Sequence, residues 1–124
     1  LECLVECFEK EDCGIATLGN SEHKDISRNE IVEGIYFSIC MVKKEDAWLD
    51  PFYTYIFDDT DMIFRIHLSG RKSYKNLKSI VQHEPHSTYG KFCGDMDEFI
   101  RSKHYFMEKY EDYKDDPLFK RFTQ

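Results

Sequence analysis

The sequence predicts an α+β fold: a small single domain over residues 1–124, with a central antiparallel hairpin at about 52–69 and three or four helices packed on it. Three observations lead there. Two runs rich in Phe, Tyr and Ile, "PFYTYIF" and "MIFRIHLS", flank the polar tetrapeptide "DDTD", the pattern of two strands joined by a short turn. Apolar residues elsewhere recur at helical spacing, most regularly from Asp95 to about Tyr113. A chain of 124 residues with ten Phe and eight Tyr has enough apolar material for one core.

Taken in order, Leu1, Leu4, Val5 and Phe8 share a helical face, with Gly14 as a stop; alternation of Leu1, Cys3, Val5 and Cys7 leaves a strand open. "TLGNSEHKD" reads as loop. "SRNE" (Ser27 to Glu30) has the form of a capping box, and Ile31, Ile35, Ile39 and Val42 follow on one face, so a helix is expected there. The competing reading makes "GIYFSICMV" a buried strand. In the hairpin, alternation places Met62, Phe64, Ile66 and Leu68 on one face and Ile63, Arg65 and His67 on the other. Ser73 can cap a helix over 73–83 carrying Tyr74, Leu77, Ile80 and Val81. "HEPHSTYG" is a loop, with Pro85 closing that helix. The last helix carries Met96, Phe99, Ile100, Phe106, Met107, Tyr110 and Tyr113 as its apolar stripe, and Pro117 forces an end nearby.

Composition narrows the function. The net charge is −7, which disfavours nucleic acid except through a local phosphate contact. Residues 1–34 hold nine acids and three bases (net −6), residues 35–94 seven and eight (+1), and residues 95–124 eight and six (−2). No apolar run approaches the roughly 20 residues of a membrane span, and residues 1–30 show no basic segment leading into a long apolar one, so neither membrane insertion nor a signal peptide is expected. Five cysteines are an odd number, which suits a reducing cytoplasm with buried or idle thiols. The spacing of Cys3, Cys7 and Cys13 offers zinc no second ligand pair, and Cys93 is surrounded by acids that oppose a thiolate. "DDTD" lacks the glycine and final glutamate of a calcium loop. No metal or other cofactor is expected.

"RIHLSGRKSYKNLKS" (Arg65 to Ser79) gathers positive charge in an otherwise acidic chain. A turn after a strand and before a helix can present backbone amides to an anion, with Arg65, Arg71, Lys72 and Lys75 adding charge. It lacks the spacing of a P-loop. The alternative to an anion site is a solvated, lysine-edged surface that balances acids elsewhere in the fold. "FRIHLSG" contains His67 and Ser69, and "PHSTYG" contains His86 and Thr88. The first resembles one half of a 2H phosphoesterase active site. That resemblance implies a pair of histidines acting as general acid and base on a phosphodiester, with the hydroxyls of Ser69 and Thr88 holding its oxygens. The two signatures stand 19 residues apart, far closer than the duplicated lobes of that family. His83, Glu84 and His86 form a further, incomplete metal-ligand set.

The acidic groups point elsewhere. Glu108, Asp112 and Asp116 repeat at i, i+4, i+8, with Glu111 and Asp115 as a parallel pair. Like charges at that spacing repel, and they face the negative end of a helix dipole. Either the helix stops near Tyr113, or the acids serve a basic partner. With Asp58, Asp59 and Asp61 at the hairpin tip, these eight carboxylates are the expected contact surface of a small inhibitor or immunity-like protein that regulates a basic macromolecule. A phosphodiester- or nucleotide-handling enzyme is the alternative, and a homodimer burying exposed Phe and Tyr is a third.

Overall fold

The computed structural model describes residues 1–20, 27–35, 39–54, 56–81 and 96–124. The α+β class holds: the described residues form four α-helices and one four-stranded mixed sheet. The chain separates into two compact units, Leu1–Ala47 with Arg65–Glu84, and Trp48–Phe64 with Pro85–Gln124.

The first unit contains α1 (Glu2–Cys7), β1 (Cys13–Gly19), β2 (Ile31–Glu33), β3 (Cys40–Val42) and β4 (Lys72–Ile80). The strand order is β2-β4-β1-β3. β1 and β4 run parallel at the centre, with Ala16 opposite Tyr74, and the edge strands β2 and β3 are antiparallel to their neighbours. Every residue of β1 is buried, so this strand has no polar alternation to read; that is why "TLGN" passes for a loop. Leu4 and Cys7 of α1 pack with Cys13, Ala16 and Leu18 of β1 into its core.

Three expectations are corrected here. Residues 31–44 do not form a helix: β2 and β3 fall within them, and the Arg28 amide donates to the Leu77 carbonyl while the Leu77 amide donates to the Glu30 carbonyl, both at 2.8 Å, which draws the "SRNE" segment alongside β4. Residues 72–80 are a strand rather than a helix. β4 buries Lys75, Asn76 and Leu77 together, which hides the period-2 pattern. Asn76 is accommodated because its amide donates to the Cys3 carbonyl at 2.9 Å and to the Glu6 carboxylate at 3.2 Å.

The largest correction concerns 52–69. Residues Asp58–Leu68 form an α-helix, α2, so the segment is not a hairpin. "DDTD" is the first turn of that helix, where carboxylates are favoured by the dipole. Met62, Ile63, Phe64 and Ile66 are all buried; the near-continuous burial mimics a strand. The unit boundary falls between Phe64 and Arg65, within this helix. Phe57, just before it, takes a left-handed φ of 71°, a conformation held only where packing over-determines it; its ring lies 5.6 Å from Phe106 and 5.7 Å from Phe99.

The second unit contains residues 58–64 of α2, then α3 (Met96–Lys109), a 3-10 turn at Glu111–Tyr113 and α4 (Pro117–Thr123). The expected long helix is present but ends at Lys109. Pro117 starts a helix rather than merely ending one. It occupies the first turn, and the Asp116 carboxylate caps the helix by accepting from the Leu118 amide at 2.8 Å. The core is aromatic: the Phe64 ring lies 4.8 Å from Tyr110, 5.5 Å from Phe106 and 6.1 Å from Phe119.

Two glycines of the first unit separate steric from conformational constraint. A Cβ on Gly14 would lie 2.4 Å from Ile66 Cγ2 and 2.9 Å from Arg71 Cβ, so the strand is glycine because the C-terminal turn of α2 presses on it. Gly70 has φ +87° with open space around it. Gly14→Ala is expected to lose about 1–3 kcal/mol through overpacking, and Gly70→Ala about 1 kcal/mol through backbone strain alone. In urea denaturation, Gly14→Ala combined with Ile66→Ala should lose less than the sum of the single changes, while Gly70→Ala and Ile66→Ala add. Additivity in both pairs would contradict the close approach.

Candidate functional site

The basic strip of the first unit is occupied from within. Arg71 holds Asp46 in a two-point pair at 2.5 and 2.7 Å, and its Nε donates to Ser69 Oγ at 2.8 Å. The Arg71 guanidinium keeps the Asp46 carboxyl below the usual carboxylate range. Arg65 donates to the Asp46 carbonyl at 2.8 Å. Lys72 faces Glu33 at 3.5 Å, and Lys78 pairs with Glu6 at 2.5 Å. Lys75 is buried. A shallow groove beside Ser27, Arg28, Asn29 and Lys78 has its lysine tied to Glu6 in the same way. Arg71, Lys72 and Lys78 are therefore met by carboxylates 25 to 72 residues away in the sequence.

The strand setting of the phosphoesterase signature is not met: His67 lies in the last turn of α2 and Ser69 in the turn just after it. The Ser69 hydroxyl donates to the Ile66 carbonyl at 2.5 Å while accepting from Arg71. His86 and Thr88 lie outside the described residues, as do His83, Glu84 and Cys93. Among the described residues no group of three or more His, Cys, Asp or Glu is arranged to hold a metal. Cys3, Cys7, Cys13 and Cys40 are free thiols, and burial pushes Cys13 up to about 11, away from thiolate chemistry.

In the second unit the acids divide into two classes. Asp61, expected at an exposed tip, is fully buried. It accepts from Tyr53 Oη at 2.9 Å, Tyr110 Oη at 2.8 Å and Lys109 Nζ at 2.8 Å. Asp50 accepts from the same Lys109 Nζ at 2.8 Å, from Tyr105 Oη at 2.7 Å and from the Phe52 amide at 3.0 Å. Burial opposes the charge on Lys109, but the two carboxylates outweigh it and raise the ammonium above the ordinary lysine range. Trp48, Tyr105 and Tyr110 rings lie 5.4–5.9 Å from the same nitrogen. Burial and the charge of Asp61 drive the Tyr53 phenol far above its usual range, so it stays a donor.

This node also fixes the rotation of α3. Glu98, Arg101, Tyr105 and Lys109 recur on one face and meet residues 48–54: Arg101 lies 4.4 Å over the Phe52 ring, Phe52 stacks on Tyr105 at 3.8 Å, and Thr54 donates to Glu98 at 2.5 Å. Neither Asp50 nor Lys109 is conspicuous in the sequence. The available signal was the set of tyrosines, since buried phenols need acceptors.

The second class is exposed. Glu108, Glu111, Asp112 and Asp115 lie at or beyond the C-terminal end of α3 and make no hydrogen bond or ion pair with a described residue through their side chains. Asp116 is a helix cap. Asp58 and Asp59 are half-buried in the first turn of α2, accepting from the backbone amides of Asp59 and Thr60 at 2.8 and 2.7 Å. Burial holds the Asp59 carboxyl above the usual range. Comparison with protein-family models, curated proteins and solved structures gives no match. No helix among the described residues is long and apolar enough to cross a membrane.

Asp61→Ala should lose about 3–5 kcal/mol, because it leaves a lysine and two phenols short of their acceptor; urea denaturation followed through Trp48 fluorescence measures this. Asp50 titrates at about 2 because it accepts from Lys109 and from the Phe52 amide, against about 3.9 when unfolded. Its stabilising contribution is therefore complete above the unfolded value and is lost as pH falls towards the folded one. Asp46, Glu6 and Glu98 shift in the same direction. The comparison is accordingly a difference: Asp50→Asn should show a shallower decline in urea midpoint than the parent chain between about pH 4 and 2. Parallel profiles would refute the role given to this carboxylate.

Proposed function

We propose that the chain is a binding protein whose carboxylates at the end of α3 receive a basic macromolecular partner, in the manner of a small inhibitor or immunity-like regulator. The supporting observation is the split among the acids. Asp46, Asp50, Asp61, Glu6 and Glu98 are committed to cations of the chain itself, whereas Glu108, Glu111, Asp112 and Asp115 are exposed and make no such pair with described residues. Lys109, the basic residue of the last turn of α3, is turned onto Asp50 and Asp61. The negative end of the helix dipole is thus left beside four more negative charges. An arrangement with no local gain is the kind kept for function, and complementary charge would speed encounter with a cationic surface. A reducing, cytoplasmic setting belongs to the same proposal; four free thiols support it. Phosphodiester chemistry draws no support from His67 and Ser69, for the geometric reasons above.

The test uses a synthetic lysine-rich 20-residue peptide at two ionic strengths. Changing Glu108, Glu111, Asp112 and Asp115 to their amides should weaken binding about ten-fold, since four exposed charges each contribute a few tenths of a kcal/mol. The same net change made at Glu2, Glu9, Glu11 and Glu45, also exposed, should alter it less than two-fold. Equal losses in the two sets would show that net charge alone matters, and the assigned surface would be wrong.

A further inference from the structure

One part of the basic surface is not fully met from within the chain. In the first unit, Ser27, Arg28, Asn29 and Lys78 line a shallow groove of about 230 Å³. Main-chain bonds build it. The Arg28 amide donates to the Leu77 carbonyl and the Leu77 amide to the Glu30 carbonyl, both at 2.8 Å. The Glu30 amide also donates to the Arg28 carbonyl at 2.8 Å, closing a three-residue turn centred on Asn29. The turn is thereby fixed beside β4, and Lys78 directly follows Leu77, the residue that anchors it. Because the main chain does all of this, the side chains of Ser27, Arg28 and Asn29 are left over. They are exposed and make no hydrogen bond or ion pair with a described residue. Of the first unit's three arginines, Arg65 donates to the Asp46 carbonyl and Arg71 is clamped on the Asp46 carboxylate. Arg28 is the one whose guanidinium stands unpaired among the described residues.

We infer that this groove is a binding site for a single dianionic phosphoryl group, as free phosphate or as the terminal group of a small phosphomonoester. The donor set decides the charge of the ligand. Arg28 offers a planar fork that matches two phosphate oxygens, Lys78 an ammonium, Asn29 an amide and Ser27 a hydroxyl. No described carboxylate lines the groove. Glu6 reaches Lys78 at 2.5 Å, but that contact uses one of the ammonium's three donors, and an exposed pair of this kind is weak enough to be shared. Two cations against one neighbouring carboxylate favour a dianion over the single charge of a phosphodiester. Size decides the rest. The groove is smaller than the roughly 300 Å³ at which pockets for drug-sized ligands begin, so it takes the phosphoryl group and leaves the remainder of any larger molecule outside. The site belongs to the first unit and stands or falls separately from the carboxylates at the end of α3.

Titrations with inorganic phosphate, methyl phosphate and dimethyl phosphate at constant ionic strength test this, followed by the amide chemical shifts of the isotope-labelled chain. At about pH 8 a phosphomonoester is doubly ionised. Inorganic and methyl phosphate should bind in the millimolar range and shift residues 27–29 and 78 first. Dimethyl phosphate should bind about ten-fold more weakly. Tighter binding of methyl phosphate would assign the site to a phosphomonoester, and tighter binding of inorganic phosphate to the free anion. Arg28→Gln should weaken binding about ten-fold, and Arg28→Lys, which keeps the charge without the fork, should recover part of that loss. Arg121→Gln, at an exposed arginine of the second unit, should change it less than about two-fold. Glu6→Gln keeps an acceptor for Lys78 while removing the opposing charge, and should tighten binding about three-fold. Equal affinity for the diester, equal losses in Arg28→Gln and Arg121→Gln, or no shift at these residues would each overturn the site. Unchanged affinity in Glu6→Gln would remove Lys78 from it and overturn the two-cation arrangement. The Arg28 side chain holds nothing in the fold, so the urea midpoint of Arg28→Gln should match that of the parent chain.

Discussion

A carboxylate removed from water has to be met by a cation or by several donors, and Asp61 is met by both. Its position in the first turn of α2 puts it against Tyr53, Tyr110 and Lys109, three side chains that come from a loop, the residue after α3, and the last turn of α3. Without that compensation the desolvation of the charge would exceed anything the surrounding aromatic contacts return, since each ring pair contributes only about 0.5–1.5 kcal/mol beyond its burial. The node therefore sets the pitch and rotation at which α3 can pack on α2. Asp50 makes the arrangement a shared one: one ammonium serves two carboxylates, so Lys109 cannot swing outward without abandoning both.

That commitment has an effect at the surface. A basic residue in the last turn of a helix ordinarily offsets the partial negative charge of its carbonyl end. In α3 the ammonium of the basic residue there is drawn onto Asp50 and Asp61, and the neighbouring Glu108 is exposed. The first unit behaves differently. Three of its conspicuous cations are drawn to carboxylates distant in sequence, Arg71 to Asp46, Lys72 to Glu33 and Lys78 to Glu6. Of these, only the Arg71 pair has both the geometry and the shielding to contribute much; the others are exposed enough that solvent screens most of their attraction.

The sequence revealed class better than elements, for identifiable reasons. The helix of 96–109 was legible because one side of it is wet and its period is 3.6. α2 was misread because Met62, Ile63, Phe64 and Ile66 are all buried, and a segment buried almost all round carries no period by which helix and strand can be told apart. β1 was lost for the same reason in the other direction. In β4 the misleading feature was chemical: Lys75 and Asn76 are buried polar residues, and the partners of Asn76, Cys3 and Glu6, lie far off in the chain, so no local pattern announces it. The acids show the same limit. Their number was visible, but which of them would be spent inside depended on Lys109 and Arg71, contacts made across 48 and 25 residues.

What remains after that internal spending is a short list, and it bears on the class of partner proposed above. An electrostatic surface alone selects weakly, because rim charges are screened and act mostly on encounter rate. Selectivity needs shape or apolar contact beside it. The exposed carboxylates lie at the end of the same helix that leaves Met96, Ile100 and Met107 in water, so the two requirements coincide on one rigid element. A helix is also the scaffold on which spacing is best defined, since i, i+4 and i+11 positions hold their separation without help from loops. The cost borne by α3 is thus exposed carboxylates at one end and unburied side chains along one side, while its buried face carries the aromatic core and the Lys109 node.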